Sequence, residues 1–182
     1  MTGEGHLTFS VACVIFAQKA GLTPELAQGD WWHMIPAALL ASLLPDIDHP
    51  KSIIGRRLKW ISLPMAKTFG HRGFTHSLLA VIGGVFLFNS TLFSHCFFPP
   101  DVLHAMLIGY SSHLLADMLT PAGIPLLWPC RWRFKLPFIN TKKNNQSERV
   151  FCMLFFGCAL CWQSDFSISL LVYFEQLTNF KL

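Results

Sequence analysis

An apolar stretch of 22 residues, residues 77–98, contains no charged side chain. A helix needs about 20 consecutive apolar residues to cross the hydrocarbon core of a bilayer, so this stretch has the length of a membrane span. The whole chain fits a lipid environment, because 13% of its residues are charged against about 25% in an average soluble domain. The sequence therefore predicts an all-α, polytopic membrane protein.

Four other apolar segments can be drawn, at residues 7–20, 31–44, 102–119 and 150–174. The fourth of the five segments in chain order extends to residue 128 if Pro121 and Pro125 only kink its helix. The first two are short, and the fifth is interrupted at residues 163–165. We therefore predict four to five transmembrane segments in a single membrane-embedded domain over residues 1–182.

The basic residues indicate how these segments are oriented. Twelve of the 14 Lys and Arg residues lie in two connections, within residues 51–72 and 131–149, whereas the turn at residues 98–101 has none. The positive-inside rule places both basic connections in the cytoplasm. The N-terminus is then cytoplasmic too, provided that the first two segments both cross.

The first basic connection has an amphipathic pattern of its own. Its apolar residues recur at helical spacing, at Ile54, Leu58, Ile61 and Met65. We expect an interfacial helix that lies on anionic lipid of the inner leaflet and ends at Pro64. Basic and aromatic residues also suit nucleic acid, but membrane anchoring already explains them, so lipids and not nucleic acid are the expected partners.

Two carboxylates follow directly on the second apolar segment. Asp46 and Asp48 stand between Pro45 and Pro50, which disfavour a regular helix through the run. In an extended stretch residues two apart project to the same side, so both carboxylates could face one target, with His49 beside them. The alternative is an ordinary polar turn, which Asp favours.

A second polar run precedes the 22-residue stretch. Gly70 and Gly73 suggest a tight loop that turns His71 inward, and His76 stands where the following helix begins. Arg72 lies between the two histidines and could bind a phosphate through its planar guanidinium. The alternative is a pair of interfacial histidines with an arginine that only follows the positive-inside rule.

A third pair lies within the fourth apolar segment. His113 and Asp117 are four residues apart, so on a helix they share one face. An Asp near the middle of a membrane helix costs roughly 2.5–3.5 kcal/mol, so it usually has a partner and a function. The alternative is a polar pair that packs helices. His104 lies about half a turn around the helix from His113 and is left outside the site. The isolated His6 shares the predicted cytoplasmic side with the other groups.

These groups all fall at the cytoplasmic end of their segments, although the count of basic residues made no use of them. His and Asp without Cys are typical ligands of a hydrolytic metal site. We predict one or two divalent metal ions, zinc first, with manganese or iron as alternatives. The predicted ligands are His6, Asp46, Asp48, His49, His71, His76, His113 and Asp117. The Asp of the first run that does not bind metal would act as general base, and Arg72 would bind substrate.

The polar runs and their flanks resemble a known family. The runs L-L-P-D-I-D-H-P-K-S, G-H-R-G-F-T-H-S and G-Y-S-S-H-L-L-A-D-M-L-T-P, with the opening G-H-L-T-F-S, are similar to the YdjM family of bacterial inner membrane proteins, described as membrane-bound metal-dependent hydrolases. The likeness covers residues 1–136 and leaves 150–182 as a variable segment. The family is also thought to resemble, distantly, zinc-dependent phospholipase C and zinc-dependent nucleases. Those enzymes use H-x-x-x-[DE] pairs, of which one is evident here.

Together these observations favour a bacterial inner-membrane hydrolase that cleaves an ester or phosphodiester. A site at the inner leaflet ringed by Arg and Lys would suit an anionic phospholipid. Two alternatives remain at this stage. The same ligands would serve a non-catalytic metal-binding protein or a transporter, and the His and Asp side chains could instead only pack helices in a structural protein.

Overall fold

The computed structural model describes residues 1–70, 72–89, 98–130, 132–136, 138 and 145–162, and within these ranges the regular elements are helices. The α-helices are α1 (Gly3–Lys19), α2 (Pro24–Ala27), α3 (Trp31–Leu43), α4 (Ile53–Arg57), α5 (Lys59–Phe69), α6 (Leu78–Asn89), α7 (Pro100–Met118) and α8 (Asn145–Cys161). Two 3₁₀ turns, Pro45–Asp48 and Phe74–His76, join them. The all-α prediction is confirmed for this part of the chain.

Helices α1, α3 and α7 form the centre of the fold. Buried apolar residues of all three, among them Val14, Met34 and Ala105, make one cluster. The α3–α7 contact is very close at Gly109, where an added Cβ would lie 2.3 Å from the carbonyl oxygen of Ala38. The hydroxyl of Ser10 on α1 donates to that same carbonyl at 3.3 Å. This packing brings the start of α1 and the ends of α3 and α7 to one place.

Helix α8 packs along α1 and fixes its first turn. Phe9 and Phe155 stack with ring centroids 4.8 Å apart. At the start of α1, Thr2 caps the helix by accepting from the N–H of Gly5 at 3.2 Å. Glu148 of α8 is 2% exposed, and its Oε1 accepts from the backbone N–H of Thr2 at 2.8 Å and from its hydroxyl at 2.6 Å. The buried carboxylate therefore holds the N-terminal end of α1.

The basic connection is helical, but Pro64 does not end it as expected. Helix α5 runs through Pro64 to Phe69. A proline inside a helix leaves the carbonyl four residues earlier without its donor, and here that residue is Trp60. Trp60 and Pro64 are both exposed, so water can serve that carbonyl. The hydroxyl of Thr68 donates to the carbonyl of Pro64 at 2.9 Å and supports the turn that follows.

Helix α7 ends at Met118 and is not kinked onward to residue 128. The hydroxyl and the N–H of Thr120 both donate to the carbonyl of Asp117, at 2.8 and 3.2 Å, and stop the helix. The chain then turns back, because Ile124 and Phe134 form an antiparallel β-bridge. Gly123 enters this bridge with φ +61°, in the left-handed region that favours glycine.

Among the described residues, no helix combines the length and the apolar character that a membrane crossing requires. Helix α6 covers 12 residues of the 22-residue apolar stretch, and residues 90–97 of that stretch lie outside the described residues. The C-terminal part of the fifth segment, from residue 163, lies outside them as well. The four to five predicted spans are therefore not found in the described helices. The orientation of the basic connections stays a prediction.

Candidate metal centre

Four elements contribute side chains to one buried polar cluster. The first turns of α1 supply His6, and the last turns of α7 supply His113 and Asp117. The two 3₁₀ turns supply Asp46, Asp48 and His76. Most of these residues are at most 2% exposed: His6, Asp48, His76, His113 and Asp117. The side chain of Asp46 is 22% exposed and gives the cluster an outlet.

Five residues bring donor atoms close together, in two groups of three. The Nε2 atoms of His76 and His113 are 3.3 Å apart, and Asp46 Oδ1 lies 3.9 and 3.8 Å from them. His6 Nε2 is 3.4 Å from Asp117 Oδ1, and Asp117 Oδ2 is 3.8 Å from His76 Nε2. Two triads result, which share His113: His6–His113–Asp117 and Asp46–His76–His113.

The hydrogen bonds of the two central histidines define their tautomers. Nδ1 of His113 lies 2.6 Å from the carbonyl oxygen of Ser42, which can only accept, so this nitrogen donates. Nδ1 of His76 lies 3.3 Å from Asp48 Oδ2 and 3.1 Å from the hydroxyl of Thr75, which itself donates to Asp48 at 2.7 Å. This nitrogen is a donor as well. In neutral rings both Nε2 atoms then carry lone pairs, and these face each other.

Asp48 lies behind His76, outside both triads. Its Oδ2 accepts from the backbone N–H of Arg72 at 2.9 Å and from the hydroxyl of Thr75. The extended conformation expected for this run was wrong. Residues Pro45–Asp48 form a 3₁₀ turn, in which residues two apart point in different directions because each residue turns the chain by about 120°. Asp46 therefore faces the cluster, whereas Asp48 orients a histidine as partners of metal ligands do.

Of the remaining predicted ligands, His49 does not join the triads and His71 cannot be placed. His49 caps the first 3₁₀ turn and is half-buried, with its N–H donating to the carbonyl of Asp46 at 3.0 Å. It belongs to neither triad. His71 lies outside the described residues, so its predicted role is untested. His104, left out of the site in the sequence prediction, lies 2.8 Å from Thr23 and 3.6 Å from Glu25 near the other end of α7.

Positive groups surround the buried carboxylate of Asp117. The guanidinium of Arg72 lies 2.9 Å from Oδ2, and the amino group of Met1 lies 2.7 Å from Oδ1. Arg72 was predicted to bind substrate, and in this structure its Nη2 pairs with the carboxylate. Its backbone has φ +60°, which is uncommon for a residue with a side chain. Contacts with the surrounding residues must therefore hold Arg72 in this conformation.

His6 has one ring nitrogen that the described chain does not satisfy. Its imidazole stacks on that of His113 with centroids 3.8 Å apart and planes within 11°. Nε2 faces Asp117, while Nδ1 is buried and has no hydrogen-bond partner among the described residues. A buried polar atom without a partner is costly. The donor set of the cluster, with imidazole nitrogens and carboxylate oxygens facing one another, fits a bound cation.

Sequence reasoning missed the groups that orient the ligands. The carbonyl of Ser42 fixes His113, and no sequence pattern marks a backbone carbonyl. The hydroxyl of Thr75 helps to hold Asp48, and the only available signal is that Thr75 directly precedes His76. Glu148 was not singled out because its partner, Thr2, is 146 residues away in the sequence.

Comparison with known proteins identifies clear relatives. The family model described as YdjM inner membrane protein matches residues 1–173. Inner membrane protein YdjM of Escherichia coli strain K12 is 55% identical over 194 aligned positions, which cover 100% of this chain and 99% of the relative, and the same values hold for its namesake in Shigella flexneri. An uncharacterized protein of Bacillus subtilis strain 168, YvsG, is 34% identical over 153 positions, covering 82% of this chain and 86% of the relative. No solved structure matches the chain.

Proposed function

The chain belongs to the YdjM inner membrane protein family, and we propose that it is a membrane-bound metal-dependent hydrolase. Its divalent metal ion would be held by Asp46, His76 and His113, and His6 and Asp117 form the second triad around the shared His113. The cleaved bond would be an ester or a phosphodiester, with a phospholipid as one candidate substrate.

The observation that carries this proposal is the 3.3 Å separation of two histidine Nε2 atoms whose Nδ1 atoms both donate elsewhere. Two acceptor lone pairs at that distance repel each other unless a proton or a metal ion lies between them, and the carboxylate of Asp46 beside them completes a set of metal ligands. A tetrahedral zinc with bonds of about 2.0–2.2 Å holds its donors about 3.3–3.6 Å apart. The donor separations here, 3.3 to 3.9 Å, are close to that range. The two triads share His113, so we expect one ion per chain.

The ligand types restrict the metal to a short list. Imidazole suits zinc, iron and other transition metals, and carboxylate suits manganese as well, so zinc is the first choice and manganese or iron the alternatives. When bound, such an ion supplies Lewis acidity and makes water a stronger nucleophile at neutral pH. The chemistry proposed here requires that property and does not require a redox-active metal.

The chain's own residues then have distinct tasks. Asp48 keeps the proton of His76 on Nδ1, so that Nε2 carries the lone pair that binds metal. The side chain of Asp46 is 22% exposed, so water can approach the ion on the side of this carboxylate. Arg72 reaches the cluster with its Nη2 and can stabilise negative charge on a phosphate or tetrahedral oxygen.

A membrane location is supported by the family and by exposed apolar residues on α5 and α6, the helices before and after the second 3₁₀ turn. On α5, Trp60 is 73% and Leu63 48% exposed, while on α6 Ile82 is 58% and Phe86 79% exposed. Exposed apolar faces of this kind fit a lipid surface. The charge asymmetry of the sequence supports a site on the cytoplasmic side of the inner membrane.

The test is metal content measured by mass spectrometry on detergent-purified protein. We expect one divalent ion per wild-type chain and a loss of most of it in Asp46→Asn, which preserves side-chain shape. The matched control is Asp101→Asn. Asp101 also faces a histidine, His33 at 3.5 Å, and lies in the first turn of α7, at the opposite end of that helix from the cluster. The proposal would be refuted if folded wild-type protein contained no metal above background, even after reconstitution with metal.

Hydrolysis is tested next on the metal-loaded protein. Candidate substrates are p-nitrophenyl butyrate, bis(p-nitrophenyl) phosphate and phosphatidylglycerol. We expect turnover of at least one, which is lost in Asp46→Asn and retained in Asp101→Asn. Stoichiometric metal without turnover of any ester or phosphodiester would favour a non-catalytic metal-binding protein, and metal flux in liposomes would favour a transporter.

A further inference from the structure

An open cleft of about 550 Å³ adjoins the metal centre on the side of Arg72. Its walls come from the end of α5, the loop that follows, and the segment after α7. They include Phe69, Arg72, Pro125, Trp128 and Arg133. Ligand sites for small molecules typically have volumes of about 300–1,000 Å³. The cleft is therefore large enough for a ligand of that size.

Two arginines line this cleft, and each is anchored to a backbone carbonyl. Nη1 of Arg72 donates to the carbonyl of Gly123 at 3.3 Å, and Nη1 of Arg133 donates to the preceding carbonyl, that of Ala122, also at 3.3 Å. The bridge between Ile124 and Phe134 holds the two segments together, with backbone hydrogen bonds of 2.9 and 3.1 Å. Residues more than 60 positions apart in sequence thus present guanidinium groups at consecutive carbonyls.

The charge of this cleft is unbalanced. The described residues that line it include two arginines and no carboxylate. Nη2 of Arg72 pairs with Asp117, whereas Arg133 is exposed and has no carboxylate partner among the described residues. Each guanidinium has five N–H donors, so both retain donors beyond the carbonyl contacts. An anion with several oxygens, such as a phosphate, would accept from both arginines.

An aromatic wall stands beside the arginines. Phe69, Phe74 and Trp128 contact one another with ring centroids 5.6 to 5.9 Å apart. Phe69 remains 39% exposed, and both Phe69 and Trp128 line the cleft. The cleft therefore combines a cationic part with an apolar part, which is the combination that an amphiphilic anion requires.

From these contacts we propose that the cleft binds a phosphate ester that carries an apolar group. The phosphate lies between Arg72 and Arg133, and the apolar group lies against Phe69 and Trp128. Arg72 contacts both the cleft and Asp117, so a phosphate bound there lies next to the metal ligands. The proposal rests on the hydrolase function and specifies its substrate class. It names Arg133 as a substrate-binding residue.

The experiment measures ligand binding by titration calorimetry on the full chain purified with its metal. The probes are inorganic phosphate, phenylphosphonate (whose C–P bond resists hydrolysis) and dihexanoyl phosphatidylglycerol. We expect Arg133→Gln to weaken phenylphosphonate binding by at least about tenfold with metal content unchanged. Arg57→Gln is the charge-matched control, because Arg57 is an exposed arginine at the end of α4, outside the cleft, and its loss should leave binding unchanged.

Trp128→Ala tests the apolar half of the cleft. We expect it to reduce the preference for phenylphosphonate over inorganic phosphate while binding of inorganic phosphate stays the same. Tighter binding of dihexanoyl phosphatidylglycerol than of phenylphosphonate, with the same dependence on Arg133, would identify a lipid headgroup as the source of the phosphate. The opposite order would identify a soluble phosphate ester. Either order of the two affinities supports the proposal, provided that binding depends on Arg133.

A comparison with Asp46→Asn separates this proposal from the metal proposal. We expect Asp46→Asn to lose metal yet to keep binding that depends on Arg133. The cleft proposal would be overturned if phenylphosphonate binding disappeared with the metal and were equal in wild type and Arg133→Gln. The ligand would then be bound by the metal alone. Absence of metal from a wild type that still binds through Arg133 would overturn only the metal proposal.

Discussion

The Nε2 atoms of His76 and His113 lie 3.3 Å apart in a site where both rings are fully buried. Each ring donates from Nδ1 to an oxygen on the far side, at Ser42 and at Asp48. Each imidazole is therefore held from behind with its acceptor nitrogen directed inward. This relationship organises the cluster around a point between the two rings.

Metal binding should stabilise the fold, because an ion that binds the native state relieves the facing lone pairs. At a free concentration 100 times the dissociation constant the gain is about 2.7 kcal/mol. We expect zinc or manganese to raise the unfolding temperature of chelator-treated wild type, measured by circular dichroism in detergent. Asp46→Asn should show little or no rise. An equal rise in both proteins would place the metal elsewhere.

Asp48→Asn should weaken metal binding although Asp48 is not expected to touch the metal. The amide can donate to His76 Nδ1, which favours the tautomer whose proton lies on Nε2, where the metal would bind. We expect a loss of affinity of about 10- to 100-fold, measured by competition with a chromogenic chelator. Asp30→Asn, at the N-cap of α3, is the control for loss of a carboxylate. Unchanged affinity in folded Asp48→Asn would show that the tautomer does not matter.

The sequence predicted the helical class and the five residues that converge, because apolar segments and their polar interruptions are local features. His113 and Asp117 could be paired from their spacing on one helix. Asp48 could not be assigned correctly, since its direction depends on whether Pro45–Asp48 is extended or a 3₁₀ turn. Pro45 at the first position of that turn permits the helical choice as readily as the extended one.

The cleft was beyond prediction from the sequence for a different reason. Arg133 joins Arg72 only because Phe134 pairs with Ile124 in an isolated bridge, which has no periodic pattern in the sequence. The same limit applies to Glu148 and Thr2, which meet through the packing of α8 on α1. Contacts between distant segments depend on tertiary packing, whereas spacing arguments cover one turn of helix or one short run.

Gly109→Ala should destabilise the protein through the contact between α3 and α7. The added Cβ would lie 2.3 Å from the carbonyl oxygen of Ala38 and 2.7 Å from its Cα, and both are backbone atoms that cannot rotate away. Overpacking of this kind costs about 1–3 kcal/mol. Gly83→Ala is the matched control, because Gly83 lies inside α6 with nothing within 4 Å of an added Cβ. We expect that change to be neutral or stabilising, as is usual for glycine to alanine in a helix. Equal unfolding temperatures for the two variants would contradict the close packing.

Glu148→Ala should lower metal affinity from a distance, because Glu148 holds the first turn of α1 and that helix carries His6. Loss of the carboxylate removes both acceptor contacts to Thr2 and leaves a buried gap, so the start of α1 becomes less well positioned. We expect a several-fold loss of metal affinity together with a lower unfolding temperature. Glu148→Gln, which keeps an acceptor oxygen, should recover part of both. Glu4→Ala is the control on α1 itself, since the Glu4 side chain is 82% exposed and lies 3.5 Å from Arg149. A Glu148→Ala variant that unfolds earlier yet binds metal as tightly as wild type would show that α1 does not need this anchor to position His6.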